Sequence, residues 1–197
     1  MTQKLFETLV LVGSPHKNGY TLKLLEHILK MLPDTKISIK NAFEENVLPC
    51  IDCSFCKTNQ KCMFSDMDEI YDLLEKCDIL IVAFPIYNSS LPSPLKSVID
   101  RMQRYYNSKF FLKINPFLKK SKKSLIITTQ GSKDESVESI LKFQLNPVLK
   151  LLNCYENSWI SVKFTDKNNF DIDKYYVKSE NKIKNTINNL YYDFLNT

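Results

Sequence analysis

Apolar residues in this chain gather in short runs that are separated by segments of mixed character. The strongest runs are Leu9–Val12, Asp78–Phe84 and Ser124–Thr129, and two weaker ones lie at Ile37–Ile39 and Cys154–Phe164. Continuous apolar runs of this length are typical of parallel strands that are buried on both faces. The pattern therefore predicts five strands, of which Ile37–Ile39, with its alternating polar residue, suits a sheet edge.

Between the runs, apolar residues recur every three to four positions, which is the period of an amphipathic helix. This spacing predicts helices over Thr21–Leu32, Asp66–Lys76, Pro94–Tyr106, Glu135–Leu152 and Asp173–Leu195, with Ser93 capping the third. Strands that alternate with helices indicate an α/β fold. We expect three layers, in which a five-stranded parallel sheet of flavodoxin-like order 2-1-3-4-5 carries helices on both faces.

Length and composition favour a single globular domain over residues 1–197, with 44% hydrophobic and 25% charged residues. No apolar run approaches the ~18 residues of a membrane span, and the N-terminus shows no signal-peptide pattern, so we expect a cytoplasmic protein without a membrane partner. The net charge of +5 fits a solvated lysine-rich surface or a patch for acidic partners. Basic segments interleaved with aromatic residues do not occur, so we expect no nucleic-acid partner.

The predicted sheet order places a ligand crevice at the carboxyl ends of strands 1 and 3. The loop after strand 1 reads GSPHKNGYT and offers hydroxyl and amide groups from Ser14, Asn18 and Thr21 beside a helix N-terminus. Such a helix start binds anions. The loop lacks the Lys-Ser/Thr pair of a P-loop and the G-x-G-x-x-G pattern, so it suits one phosphate monoester. An ordinary strand-to-helix turn is the alternative.

The loop after strand 3 begins with Pro85, Ile86, Tyr87 and Asn88. Tyr87 is suited to flank a planar ring, whose polar edge backbone N–H groups of the loop could reach. A connection made rigid by proline, with a tyrosine that merely packs, is the alternative.

Together the motifs GSPHKNGYT, PIYNSSLPSPLKSVIDR and TTQGS resemble the flavodoxin-like NAD(P)H-dependent FMN oxidoreductases, a family of FMN reductases, azoreductases and quinone reductases. The resemblance implies an FMN cofactor. It assigns the phosphate to Ser14, His16, Asn18, Tyr20 and Thr21. It assigns the isoalloxazine ring to two further groups, Pro85, Ile86, Tyr87 and Asn88 in the second loop and Thr129, Gln130 and Gly131 in the third.

The same resemblance implies an enzyme that passes electrons from NAD(P)H, through bound FMN, to a flavin, a quinone or another small acceptor. It also implies a homodimer or higher homo-oligomer. The predicted helix Pro94–Tyr106, whose Arg104–Tyr106 end is expected to be exposed, is a candidate contact. A flavodoxin-type electron carrier and a thiol redox sensor remain as alternatives.

Four of the six cysteines, Cys50, Cys53, Cys56 and Cys62, lie in a loop at about residues 48–65, with spacing C-x2-C-x2-C-x5-C. Three cysteines as closely spaced as Cys50, Cys53 and Cys56 suit an iron–sulfur cluster. Two zinc knuckles would need a longer spacer between their cysteine pairs. The spacing resembles that of the iron–sulfur flavoproteins. This resemblance implies a [4Fe–4S] cluster on the four cysteines and a ferredoxin-like electron donor. An intact thiol loop, a dithiol/disulfide pair and a zinc site are the alternatives. Cys77 and Cys154 are expected to be buried fillers.

Overall fold

The computed structural model describes the backbone of residues 6–195 and the side chains of residues 6–192, so the ends of the predicted domain, 1–5 and 196–197, lie outside the described residues. Five strands form one parallel sheet in the order β2-β1-β3-β4-β5, which confirms the predicted fold class. The strands are β1 Phe6–Val12, β2 Thr35–Asn41, β3 Ile79–Pro85, β4 Lys122–Thr129 and β5 Cys154–Val162.

Both faces of the sheet are covered by helices, which explains why its central strands read as continuous apolar runs. Neighbouring residues of β3 enter different cores, since Leu80 and Val82 face one layer whereas Ile79 and Ile81 face the other. The second of these layers contains α1 Tyr20–Leu29 and α6 Ile172–Leu195. The first contains α2 Asp68–Lys76, α3 Ser93–Asp100, α4 Gln103–Phe110 and α5 Ser136–Leu151.

The single helix predicted over Pro94–Tyr106 is wrong, because the chain forms two helices there. Around Arg101 and Met102 the backbone bonds span three residues, since Met102 N–H donates to Ile99 and Tyr105 N–H to Met102. This tighter winding breaks the helix into α3 and α4. Ser93 is the first residue of α3, and Pro92 occupies the cap position that we expected for Ser93.

The exposed helix end expected at Arg104–Tyr106 is also wrong for two of its three residues. Arg104 is 8% exposed and Tyr105 is 1% exposed, so both belong to the protein interior, and Tyr106 alone of the three is exposed. Within the described part of the chain, none of the helices combines the length and apolar character of a membrane span.

Candidate flavin and iron–sulfur site

The loops that follow β1, β3 and β4 meet at the carboxyl edge of the sheet, and we call them together the three-loop edge (residues 13–21, 85–90 and 129–131). Gly13 N–H donates to the carbonyl of Ala83 at 2.8 Å, and Ile86 N–H donates to the carbonyl of Thr129 at 2.8 Å. The hydroxyls of Thr21 and Thr129 lie 2.6 Å apart in the interior. The structure therefore brings the predicted phosphate and ring residues together at one edge.

The first loop presents the start of α1 beside two buried hydroxyl residues. Ser14 and Thr21 are each 2% exposed, whereas His16, Asn18 and Tyr20 face solvent. A tight turn, in which Gly19 N–H donates to the His16 carbonyl at 3.0 Å, leads into α1 at Tyr20. Among the side chains that the structure describes, none caps this helix start. Its first N–H groups have no partner within the helix, so the loop can bind a phosphate.

A residue that the sequence did not single out fixes this loop from the side. The amide of Asn41, at the end of β2, donates to the carbonyl of Ser14 at 3.1 Å, and its oxygen accepts the N–H of Phe43. Asn41 joins the loop after β1 to the loop after β2, because its amide nitrogen bonds to Ser14 and its amide oxygen bonds to Phe43. Its position at the carboxyl end of an edge strand was the signal in the sequence.

The second loop forms a two-residue hairpin turn that displays Tyr87. Tyr87 and Ser90 exchange backbone bonds of 3.0 and 2.9 Å, and the two residues between them, Asn88 and Ser89, have φ angles of 49° and 58°. Two consecutive positive φ angles define a type I′ turn. The turn holds Tyr87 at the mouth of the edge with 41% of its surface exposed, while Pro85 and Ile86 are half-buried.

The third loop is held by the side chain of Gln130. Its amide nitrogen donates to the carbonyls of Ser132 and Asp134 at 3.0 and 2.8 Å, and its backbone N–H donates to Val162. The side chain of Gln130 therefore shapes the loop from the interior. Beside Gly131 lies the carboxylate of Asp166, whose oxygen would stand 1.9 Å from a Cβ at that position. Asp166 was not anticipated from the sequence.

The four cysteines of the cysteine loop (residues 48–65) line one pocket together with residues from α4 and the turn before it, namely Arg101, Gln103, Arg104 and Asn107. Cys50 and Cys53 are exposed, whereas Cys56 and Cys62 are half-buried, and all four are free thiols, as are the buried Cys77 and Cys154. Among the described residues, no group of three or more His, Cys, Asp or Glu side chains is arranged to hold a single metal ion.

Arg101 ties the two ends of the cysteine loop together. Its guanidinium, which is buried, donates to the carbonyls of Leu48 and Phe64 at 2.9 and 3.2 Å and to both carboxylate oxygens of Asp66 at 2.7 and 3.2 Å. Asp66 also accepts the N–H of Leu48 at 2.8 Å. We call this group the Arg101–Asp66 clamp. Burial works against ionisation of Asp66, but the guanidinium and the Leu48 N–H outweigh it and lower the pKa of the carboxyl group.

The cysteine pocket has a polar inner wall. The amide nitrogen of Asn107 lies 3.1 Å from the sulfur of Cys56 and partly offsets the burial that raises the pKa of this thiol. Among the described side chains, the Nε atoms of Arg101 and Arg104 are buried donors without an acceptor. Four thiols that line one pocket together with Arg101 and Arg104 fit an anionic, thiolate-bound cluster in the chemistry of the donor set.

Comparison with known proteins places these observations in a family. Residues 6–155 match the family model described as NADPH-dependent FMN reductase. The iron-sulfur flavoprotein of Methanosarcina thermophila is 33% identical over 104 residues, which cover 51% of this chain and 54% of that protein. The FMN-dependent NADH:quinone oxidoreductase of Pelagibacter ubique is 33% identical over 132 residues, covering 64% and 66%.

The fold is also that of a solved relative. An NAD(P)H:quinone oxidoreductase from Methanothermobacter marburgensis superposes with a TM-score of 0.74 over 92% of this chain and 96% of that one, at 13% identity. The chain spans about half the length of the first curated relatives that it matches, all named iron-sulfur flavoproteins. Since the family model covers more than half of the chain, this protein belongs to the NADPH-dependent FMN reductase family.

Proposed function

We propose that the chain is an oxidoreductase that binds FMN at the three-loop edge and passes electrons from NAD(P)H to a flavin, a quinone or another small acceptor. The observation that carries the proposal is that the three loops are bonded to one another beside the uncapped start of α1. Backbone bonds hold the first loop to β3 and the second loop to Thr129, and the Thr21–Thr129 hydroxyl pair joins α1 to the end of β4. Membership of the reductase family supports it.

In this proposal each loop has a separate task. Ser14, Thr21 and the first N–H groups of α1 hold the phosphate, with His16, Asn18 and Tyr20 around its exposed side. Pro85, Ile86, Tyr87 and Asn88 form one wall of the ring site, and Thr129, Gln130 and Gly131 form another. FMN itself would supply the chemistry, since its ring accepts a hydride from NAD(P)H and releases the electrons to the acceptor. The residues of the three loops would bind and orient the ring.

The phosphate assignment is tested by comparing the affinities of FMN and riboflavin, which differ in the phosphate alone. Charge-assisted bonds to a phosphate contribute about 1.5–3 kcal/mol, so we expect FMN to bind at least about tenfold more tightly. Thr21→Val should narrow this ratio, whereas Thr186→Val, which removes an exposed hydroxyl of α6, should leave it unchanged. Equal affinities for both flavins in the wild-type protein would contradict the phosphate site, and a folded protein that binds neither would contradict the function.

A second candidate adds a [4Fe–4S] cluster on Cys50, Cys53, Cys56 and Cys62. It is supported by the shared pocket of the four thiols, by the two arginines that line it and by the names of the relatives. Electrons would then arrive from a ferredoxin-like donor, for which the net charge of +5 suits an acidic partner. Iron and inorganic sulfide measured in protein purified without oxygen decide this candidate, because near-zero iron would reject it.

The remaining alternatives can be told apart by how the protein turns over substrate and by how it responds to oxidation. A flavodoxin-type carrier would show little turnover with NAD(P)H beside efficient coupling to a partner enzyme. A thiol redox sensor would change its partner or oligomeric state when the cysteine loop is oxidised.

A cytoplasmic location is part of the proposal, since a reducing compartment keeps the four thiols available.

A homodimer or higher homo-oligomer remains part of the proposal as well. Since Arg104 and Tyr105 are internal, the candidate contact moves to the end of α4, where Tyr106, Phe110 and the following Phe111 are exposed. Sedimentation velocity of the wild-type protein and of Phe110→Ser tests both the oligomeric state and this contact.

A further inference from the structure

We infer that Asn107 is a positioning residue for the Cys56 sulfur, which it orients and to which it donates an N–H. In the iron-loaded protein this bond would raise the reduction potential of the cluster. The inference rests on the second candidate function, the [4Fe–4S] cluster, and concerns a residue outside the cysteine motif.

The contact is built from the interior of the protein. Asn107 is 1% exposed, and its amide nitrogen lies 3.1 Å from Cys56 Sγ. Cys56 sits in a short 3₁₀ turn, Phe55–Lys57, which packs directly against α4. Since helix α4 is fixed in the core by residues such as Tyr105, the amide approaches the sulfur from a rigid element.

A longer contact one turn earlier on α4 favours this orientation of the amide. The amide nitrogen of Gln103 donates to the oxygen of Asn107 at 3.5 Å, which leaves the nitrogen of Asn107 to face the sulfur. A sulfur that binds iron has no proton to donate, so it must accept. Gln103, Asn107 and Cys56 therefore form a chain of donors that ends on the sulfur.

The four sulfurs are unequal in this respect. Cys50 and Cys53 are exposed, and among the described side chains the amide of Asn107 bonds to the sulfur of Cys56. The positively charged Arg101 and Arg104 also line this pocket. Hydrogen bonds and positive charge near a ligand sulfur stabilise the more negative, reduced cluster. The inner wall of the pocket should therefore set the potential.

The test compares four variants of the full chain, reconstituted with iron and sulfide without oxygen. Asn107→Leu removes the amide donor with a side chain of similar volume, and Asn107→Gln keeps an amide donor. Gln103→Ala removes the orienting bond at an exposed position that folding tolerates. Asn59→Leu is the matched control, since that asparagine lies in the same loop and bonds to Phe55 and Thr58 but to no cysteine.

We expect Asn107→Leu to shift the midpoint potential of the cluster to a more negative value and to lose iron to a chelator about tenfold faster or more. Asn107→Gln should return the potential towards that of the wild type, and Gln103→Ala should give a smaller shift in the same direction. Asn59→Leu should match the wild type. The potential decides the matter, because a merely structural role would change iron loss without changing the potential.

Two results overturn the inference, and they differ. Asn107→Leu with a full iron content and the wild-type potential rejects the role of Asn107 while the cluster stands. Wild-type protein that holds no iron after anaerobic reconstitution rejects the cluster itself, and the role of Asn107 with it. FMN binding at the three-loop edge would survive either result.

Discussion

The three-loop edge and the cysteine loop are held in different ways. Backbone bonds at the ends of adjacent strands fix the three-loop edge, as Gly13 to Ala83 and Ile86 to Thr129 show. The cysteine loop is instead fixed by side chains that arrive from α4 and the turn before it, chiefly Arg101 and Asn107. The position of the three-loop edge follows from the order of the strands, whereas the cysteine loop depends on side chains of a few residues that are distant in sequence.

This difference predicts how each region responds to change. The three-loop edge should be disturbed less by the loss of a single polar side chain than by a change that alters backbone packing, such as a Cβ at Gly13. The cysteine loop should be sensitive to single side chains far from it in sequence.

The largest effect should follow loss of the Arg101–Asp66 clamp. Arg101→Leu leaves Asp66 and two loop carbonyls without their donor, and removing one partner of a buried pair costs about 3 kcal/mol. We expect a lower free energy of urea unfolding and faster proteolysis within residues 48–65. Lys96→Leu, which breaks an exposed pair with Asp100, should remain within about 0.5 kcal/mol of the wild type. Equal effects of the two variants would contradict the clamp.

A methyl group at Gly13 should disturb the three-loop edge through packing. A Cβ there would stand 2.7 Å from Leu95 Cδ2 and 2.9 Å from Leu95 Cβ, both in the core, so Gly13→Ala should cost about 1–3 kcal/mol. Gly131→Ala meets the exposed carboxylate of Asp166, which can rotate away, so its cost should be smaller. Thermal unfolding of both variants shows which substitution costs more stability. A larger cost for Gly131→Ala than for Gly13→Ala would refute this account.

The type I′ turn of the second loop should be improved by glycine. Ser89 has a φ of 58°, which glycine adopts without strain, so Ser89→Gly should stabilise the protein by about 0.5–1 kcal/mol. Ser90→Gly, at a position outside the left-handed region, should not. Chemical denaturation of the two variants separates a conformational effect from a general effect of glycine.

The smallest effect is the pH dependence of the clamp. Because the folded pKa of Asp66 is lowered, its contribution is complete above the ordinary Asp pKa of 3.8 and is lost as the pH falls through the folded pKa. Asp66→Asn should be less stable than the wild type at pH 6, and the gap should narrow at pH 3. Urea midpoints at both pH values test this, and a gap that widens on acidification would have the wrong sign.

The sequence was sufficient for the features that depend on local pattern. The apolar runs located all five strands, and the alternation of strands with helices gave the sheet order. The flavin residues remain predictions, but their placement on three adjacent loops follows from that order alone. The break between α3 and α4 could not be predicted, because Arg101 and Met102 have ordinary helix propensities and the break becomes visible only in three dimensions.

The cysteine loop shows the other limit of sequence reasoning. Its spacing indicated the chemistry, but nothing in the spacing pointed to Asn107 or to Asp66 as the residues that hold it. These contacts join positions 35 to 53 residues apart through side chains, which periodicity does not reveal. Asp100-Arg101 stood out only as part of a motif shared with the family.

The anaerobic absorption spectrum of the purified protein, titrated first with FMN and then with NADPH, tests the central claim most directly. The proposed function predicts saturation at one FMN per chain and loss of the flavin absorbance when NADPH is added. A folded protein that takes up no FMN, or one whose bound FMN is not reduced by either NADPH or NADH, would contradict it.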